Sequence, residues 1–405
     1  GLLLTAGNGI GTASNHLETT VQTVTVSAGA GGLFVTESDG VTVDSLSATI
    51  NRVDATAAET VVTSTVQADL LTSGHLVLVS TTGDLTASDL VTASGAGNVL
   101  LQATAGTVTL NSAVDGGSGH ISMVAGTDVA QKANITTTGT GTVDLFAGND
   151  LTMDDGITTL AAANIRLVAT GVLTLGSLST TADVSLIASR ITDSGSTDVD
   201  VTADELRLVT TGATVGGGIS GNPLELNIAK LAASVAGTGG LFLTEANDIV
   251  IGALNDIGVN RVAVDATVAS LTTTDASLSD VMVGGALVLL TTSGSILVEE
   301  GDIDDTGISA AGNILLQAGG ATSDVTLNAD LISTGGNISL NAGHDLLQNS
   351  DIRTTSSGKT IDLIANNKIL MGDGTSVTST DGTIQLLTTL GDVTLETLTA
   401  GTGNV

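Results

Sequence analysis

The densest concentration of ligand chemistry in the chain is Glu299-Glu300-Gly301-Asp302-Ile303-Asp304-Asp305, five carboxylates in seven residues. Carboxylates in a flexible loop suit a hard cation with oxygen ligands, and Ca²⁺ is the ion that tolerates irregular geometry best. The spacing matches no EF-hand frame. Glu299, Glu300, Asp302, Asp304 and Asp305 are therefore candidates for a weak Ca²⁺ site, against the plainer reading of a solvated acidic loop, and no firm cofactor follows. The corresponding stretch earlier in the chain, from Leu85 to Gly97, spans 13 residues against 17 from Ile296 to Gly312, and carries only Asp89.

The remaining motifs exclude more than they propose. Gly216-Gly217-Gly218-Ile219-Ser220-Gly221 satisfies GxGxxG, but Pro223 and a strand-like continuation stand where a pyrophosphate-binding helix should begin. Gly358-Lys359-Thr360 imitates the end of a phosphate loop, with Arg353 in place of its first glycine. Gly116-Gly117-Ser118-Gly119 opens like a calcium nonapeptide repeat, with Ile121 in place of the Asp ligand. There is no Gly-x-Ser-x-Gly elbow and no Cys, so neither that nucleophile nor a thiolate site is available. Of the four His (16, 75, 120 and 344), His75 and His120 sit just before an aliphatic pair where Asn98 and Asn164 sit elsewhere, which marks them as corner residues. A polysaccharide-cleaving site needs clustered carboxylates or an Arg base, with aromatic platforms for sugar rings. The chain has no Trp or Tyr and its six Arg are scattered. No catalytic residue is nominated, and an enzyme is ranked last.

What would position these residues is a repeat. Two aliphatics flanking one intervening residue recur as Leu76/Leu78, Val99/Leu101, Ile121/Met123, Val143/Leu145 and Ile165/Leu167, at spacings of 23, 22, 22 and 22 residues. The frame resumes as Val184/Leu186, Leu206/Leu208 and Leu241/Leu243, then as Ile314/Leu316, Ile338/Leu340, Ile361/Leu363 and Ile384/Leu386. Alternation of period two is a strand with one face buried. A second aliphatic column runs Leu85, Val108, Val129, Leu151, Leu173, and a third Val114, Ile135, Ile157, Leu178. About three short strands per ~22-residue rung, with Gly, Asn and Asp at the corners, predict an all-β, right-handed parallel β-helix; parallel crossovers set the hand. Outward threonines such as Thr86, Thr109 and Thr152 follow core positions, but only Thr107/Thr109 forms the Thr-x-Thr doublet of an ice-binding face.

A larger copy overlies the rungs. Gly32-Leu33-Phe34-Val35-Thr36-Glu37 returns as Gly240-Leu241-Phe242-Leu243-Thr244-Glu245, Asn51-Arg52-Val53 as Asn260-Arg261-Val262, and AGNVLLQA (96–103) as AGNILLQA (311–318). We expect one continuous solenoid over 1–405, built of tandem copies at about 1–205 and 206–405. Gly1 and Gly403-Asn404-Val405 both fall inside rungs, which predicts a segment of a longer repetitive polypeptide.

Composition fits this frame. Of 405 residues, 41% are apolar, enough for a core, and only 13% are charged, so Thr, Ser, Asn and Gly must form most of the surface. The formal net charge of −32 argues against nucleic acid and anionic lipid as partners, and no apolar run approaches the length of a membrane-spanning helix.

The Gly-Asn-Ile/Val-x-Leu-x-Ala rungs at 97–103, 312–318 and 336–342, with the Thr/Ser/Asn/Gly surface and the absence of Cys, resemble the repetitive stalks of large secreted bacterial surface proteins of the filamentous-haemagglutinin type. The resemblance implies a right-handed β-helix, export through the outer membrane, and a structural or adhesive role at the cell surface or in a biofilm matrix. The expected function is a non-enzymatic extracellular rod. Its expected partners are further copies, end to end or laterally, and a cell-surface glycan or protein receptor, with no nucleic acid and no membrane insertion. A glycan- or cation-binding module is the alternative.

Overall fold

The structure, a computed structural model, describes residues 1–195, 198–212, 214–217, 221–268 and 272–405. Among them every regular element is a β-strand, so no helix is available to cross a membrane. Parallel strands stack in turns of about 23 residues, about 17 turns in all, and the chain is a β-solenoid. It divides into two compact units: Gly1–Thr170 with Gly258–Thr273, and Gly171–Ile257 with Thr274–Val405.

In the first unit, Leu76–Ser80, Val99–Ala103, Ile121–Ala125, Val143–Ala147 and Ile165–Ala169 stack in register. The second aliphatic column becomes a ladder of Leu85–Ala87, Val108–Leu110, Val129–Gln131 and Leu151–Met153. The third begins with Val91–Ala93, Val114–Asp115 and Ile135–Thr136. Inward residues of all three, including Leu78, Leu101, Met123, Leu145, Leu85 and Val114, are at most 1% exposed. Each such side chain contributes roughly 1.5–3 kcal/mol of burial, delivered to the rungs directly above and below.

The same logic organises the second unit. Ladders there run Ala286–Thr291, Ile314–Ala318, Ile338–Ala342, Ile361–Ala365, Ile384–Thr388, and Ile296–Val298, Val325–Leu327, Leu346–Gln348, Ile369–Met371. Corners are sharp because glycine lets backbones touch. A Cβ on Gly97 would lie 2.0 Å from the Gly74 carbonyl oxygen, and one on Gly119 would lie 2.0 Å from that of Gly97.

Two column assignments need correction. Thr159, not Ile157, pairs with Ile135; Thr159 is fully buried and exchanges hydrogen bonds with the buried Gln131 amide, so a polar pair replaces the aliphatic contact. Leu241/Leu243 does not follow Leu206/Leu208. The strands Val201–Thr210 and Leu224–Val235 run through a corner without a break, which seats Leu206 on Leu231. Leu241 instead continues the column of Ile191 and Val215 and passes it to Leu287 and Ile314. Of the glycine-rich stretch 216–221, residues 218–220 lie outside those described.

Candidate functional site

The most elaborate buried polar arrangement lies on the outward face of the first unit. Phe34, Val77, Leu100, Ser122, Asp144 and Arg166 form one rung-to-rung column by strand register. Period-two alternation should leave that column in water, yet Val77, Leu100, Ser122 and Asp144 are 0% exposed. The cover is Gly258–Thr273, a strap from the second sequence copy that belongs to this unit. It crosses the rungs in sequence. The Asn164 side-chain amide donates to the Gly258 carbonyl (2.9 Å), and the Asn260 amide N–H to Thr142 Oγ1 (3.0 Å). The Val262 N–H donates to Ser122 Oγ (2.9 Å), and the Asn98 side-chain amide to the Ala266 carbonyl (2.9 Å). Val262 and Ala266 pack into the cluster of Phe34, Val77, Val79 and Leu100.

One charge anchors the strap. Arg261 Nε donates to Asp144 Oδ2 at 2.5 Å, Arg166 Nη1 reaches Asp144 Oδ1 at 3.3 Å, and the Arg261 guanidinium lies 5.4 Å from the Phe146 ring centre. Two guanidiniums on a fully buried carboxylate satisfy both its oxygens, as a buried anion requires. Beside it a corner ladder consumes the histidines: Asn98 N–H donates to His75 Nδ1 (3.0 Å), His120 N–H to Asn98 Oδ1 (3.0 Å), and Thr142 N–H to His120 Nδ1 (3.1 Å). Burial pushes His120 below the usual imidazole range, which keeps it a neutral acceptor.

The acidic corner is assembled in part. Carboxylate oxygens of Glu300, Asp302 and Asp304 lie within 4.8 Å of one another, while Glu299 and Asp305 stand outside the group. Its carboxylates also hold the loop: Asp302 N–H donates to Glu300 Oε1, Asp304 N–H to Asp302 Oδ1, and Thr306 N–H to Asp304 Oδ1. Sequence reading missed Asp280, which joins from the preceding corner. Asp280 is 3% exposed, and burial, with Asp302 and Glu300 nearby, pushes its pKa up to about 6 although Ser279 and Gly301 hydrogen-bond to its carboxyl. No spacing rule flags it, because it is an isolated acid one turn earlier.

Two further acidic groups have structural duties. Asp324 Oδ1 lies 2.9 Å from His344 Nδ1 and accepts the Asp345 N–H; Asp345 pairs with Lys368 at 3.2 Å and accepts the Lys368 N–H. Each Asp thus caps the corner of the next rung. Asp193, Asp200 and Glu225 cluster where Asp200 is 1% exposed, and burial followed by the Asp193 carboxyl pushes Asp200 up to about 9, so it is protonated at neutral pH and donates within the cluster.

With the geometry in view, the chain is placed by fold alone, as a parallel β-solenoid. No family model matches it, no curated protein is similar to it, and no solved structure matches it.

Proposed function

We propose that the chain is a non-enzymatic structural or adhesive module of a secreted bacterial surface or matrix filament, one whose working property is repetition. The observation that carries this reading is the in-register stacking of chemically equivalent rungs, Val99–Ala103 on Ile121–Ala125 on Val143–Ala147, and again Ile314–Ala318 on Ile338–Ala342 on Ile361–Ala365. A stack in which each turn supports only its neighbours can be lengthened without redesign, and that suits a spacer. The polar side chains support it too: histidines, asparagines and aspartates at the corners hydrogen-bond to the next rung's amides. The test is incubation with acidic and neutral polysaccharides, read by reducing ends and unsaturated products, beside a glycan array. Binding without turnover is the outcome this reading expects of an adhesive module; sustained turnover with any polysaccharide overturns it.

A second reading, a cation-binding module, is favoured by the buried Asp280 carboxyl beside the Glu300–Asp302–Asp304 group. A cation there would cross-link two successive corners.

A further inference from the structure

The strap has a twin that packs on nothing among the described residues. The strands Thr49–Val53 and Glu59–Thr63 form an antiparallel hairpin at the place in the first copy that Gly258–Thr273 occupies in the second. The turns are the same: Asp54 N–H to Ala58 O and Ala57 N–H to Asp54 O in one, Ala263 N–H to Thr267 O and Ala266 N–H to Ala263 O in the other, with Ala57 and Ala266 both left-handed at φ 65° and 62°. Asn51-Arg52-Val53 repeats Asn260-Arg261-Val262. Their surroundings differ completely. Val262 is 2% exposed and Val53 is 61%; Ile50, Val61 and Val66 are also more than half exposed, and Arg52 makes no ion pair among the described residues. A lone two-stranded hairpin with apolar residues in water is marginal and gains stability by packing on a partner.

The face that the strap covers also has a twin, which from Val288 to Asp362 is left uncovered among the described residues. Register builds the column Phe242, Val288, Leu315, Ser339, Asp362 in the second unit, residue for residue like Phe34, Val77, Leu100, Ser122, Asp144. Val288, Leu315, Ser339 and Asp362 are only half-buried where their counterparts are 0% exposed. An open groove runs past Phe242, Val288, Leu290 and Leu315. Asn313, like Asn98, uses Oδ1 to accept the next rung's N–H. Asp362 has an oxygen without a hydrogen-bond partner, and Gln385 stands where Arg166 serves Asp144, so among the described residues no cation of this unit meets it.

We infer that the 49–63 hairpin of one copy of this chain docks on the Phe242–Val288–Leu315–Ser339–Asp362 face of a second copy, with Arg52 taking Asp362 as Arg261 takes Asp144. This deepens the proposed structural role and names its self-association surface. Each copy offers one hairpin and one face, so the contact is heterologous and propagates head to tail unless it closes into a ring.

Sedimentation velocity of the full chain in about 0.15 M NaCl, where the net charge of −32 is screened beyond about 8 Å, tests it. Wild type should associate in a concentration-dependent series. Arg52→Glu, at an exposed site, and Asp362→Arg should each weaken association at least about tenfold, as breaking a desolvated charge pair does. Arg52→Glu with Asp362→Arg in one chain should restore it. Mixing the two single variants should likewise restore the concentration-dependent series, because Arg52 of one meets Asp362 of the other while the introduced glutamate meets the introduced arginine. Wild type monomeric at every concentration, or association that both single variants leave unchanged, overturns the docking while leaving the polysaccharide test of the structural role untouched. Single variants that remain as weakly associated when mixed as they are alone overturn it as well.

Discussion

Replacing Arg261 by Met isolates what the strap's one cationic side chain contributes. The substitution keeps an apolar stem beside Phe146 and removes the guanidinium from Asp144, which is fully buried. Asp144 retains Arg166 at 3.3 Å, so the anion is not orphaned, and the loss is that of a hydrogen bond to a charged group, about 1.5–3 kcal/mol. Asp144→Ala is harsher. It takes the buried carboxylate away from Arg166, about nine-tenths buried, and from Arg261 at once, which should cost about 3–5 kcal/mol. The assay is amide hydrogen exchange at Val262, whose N–H is bonded to the fully buried Ser122 and exchanges only when the strap lifts. With tenfold per 1.4 kcal/mol, Arg261→Met should speed that exchange by about 10- to 150-fold. Arg52→Met, its exposed equivalent, should change stability by less than about 0.5 kcal/mol. A Val262 amide that exchanges within about twofold of wild type in Arg261→Met would refute the reasoning, for the strap would then be held by its apolar contacts and neutral hydrogen bonds without the charge.

Ile121→Asp places an unpaired charge at a 0%-exposed position, so exchange should rise in the strands Val99–Ala103, Ile121–Ala125 and Val143–Ala147 while distant rungs stay protected; uniform loss of protection would contradict a modular stack. Asp200 titrates at about 9 in the folded chain against an ordinary 3.8, so the folded state holds the extra proton between those values, and the stability this group contributes is full below about pH 4 and lost as pH rises through 9. Melting temperature between about pH 6 and 9 should therefore fall more steeply for wild type than for Asp200→Asn, and equal slopes would sink the assignment. Millimolar CaCl₂ should raise the melting temperature beyond NaCl of equal ionic strength, and Asp302→Asn with Asp304→Asn and Asp305→Asn should abolish the difference; an identical response from the triple variant leaves the corner a solvated loop.

The stack itself was legible because its cause is local. Inward residues at 76/78, 99/101, 121/123, 143/145 and 165/167 obey a period of two within a period of about 22, and burial between identical rungs leaves that pattern no other use. Column assignment failed where the local rule has two solutions. Ile157 and Thr159 are both β-branched and two residues apart, and Gln131 on the rung below decided for the hydroxyl. At Leu206 the deciding fact was an unbroken strand, Leu224–Val235, with no corner signal to count from. The acidic corner was visible as a sequence cluster, yet the buried Asp280 beside it lies one turn away. Asn51-Arg52-Val53 and Asn260-Arg261-Val262 were legible as a copy, but nothing in the tripeptide distinguishes a strap in its seat from one in water. That difference depends on Asp144, more than a hundred residues from Arg261 and at an outward position that period-two reasoning assigns to solvent. Its burial is imposed by the strap, so the two must be read together: the outward carboxylate becomes interpretable only with its arginine, and the exposed arginine at 52 only with a carboxylate of the same kind, which Asp362 supplies.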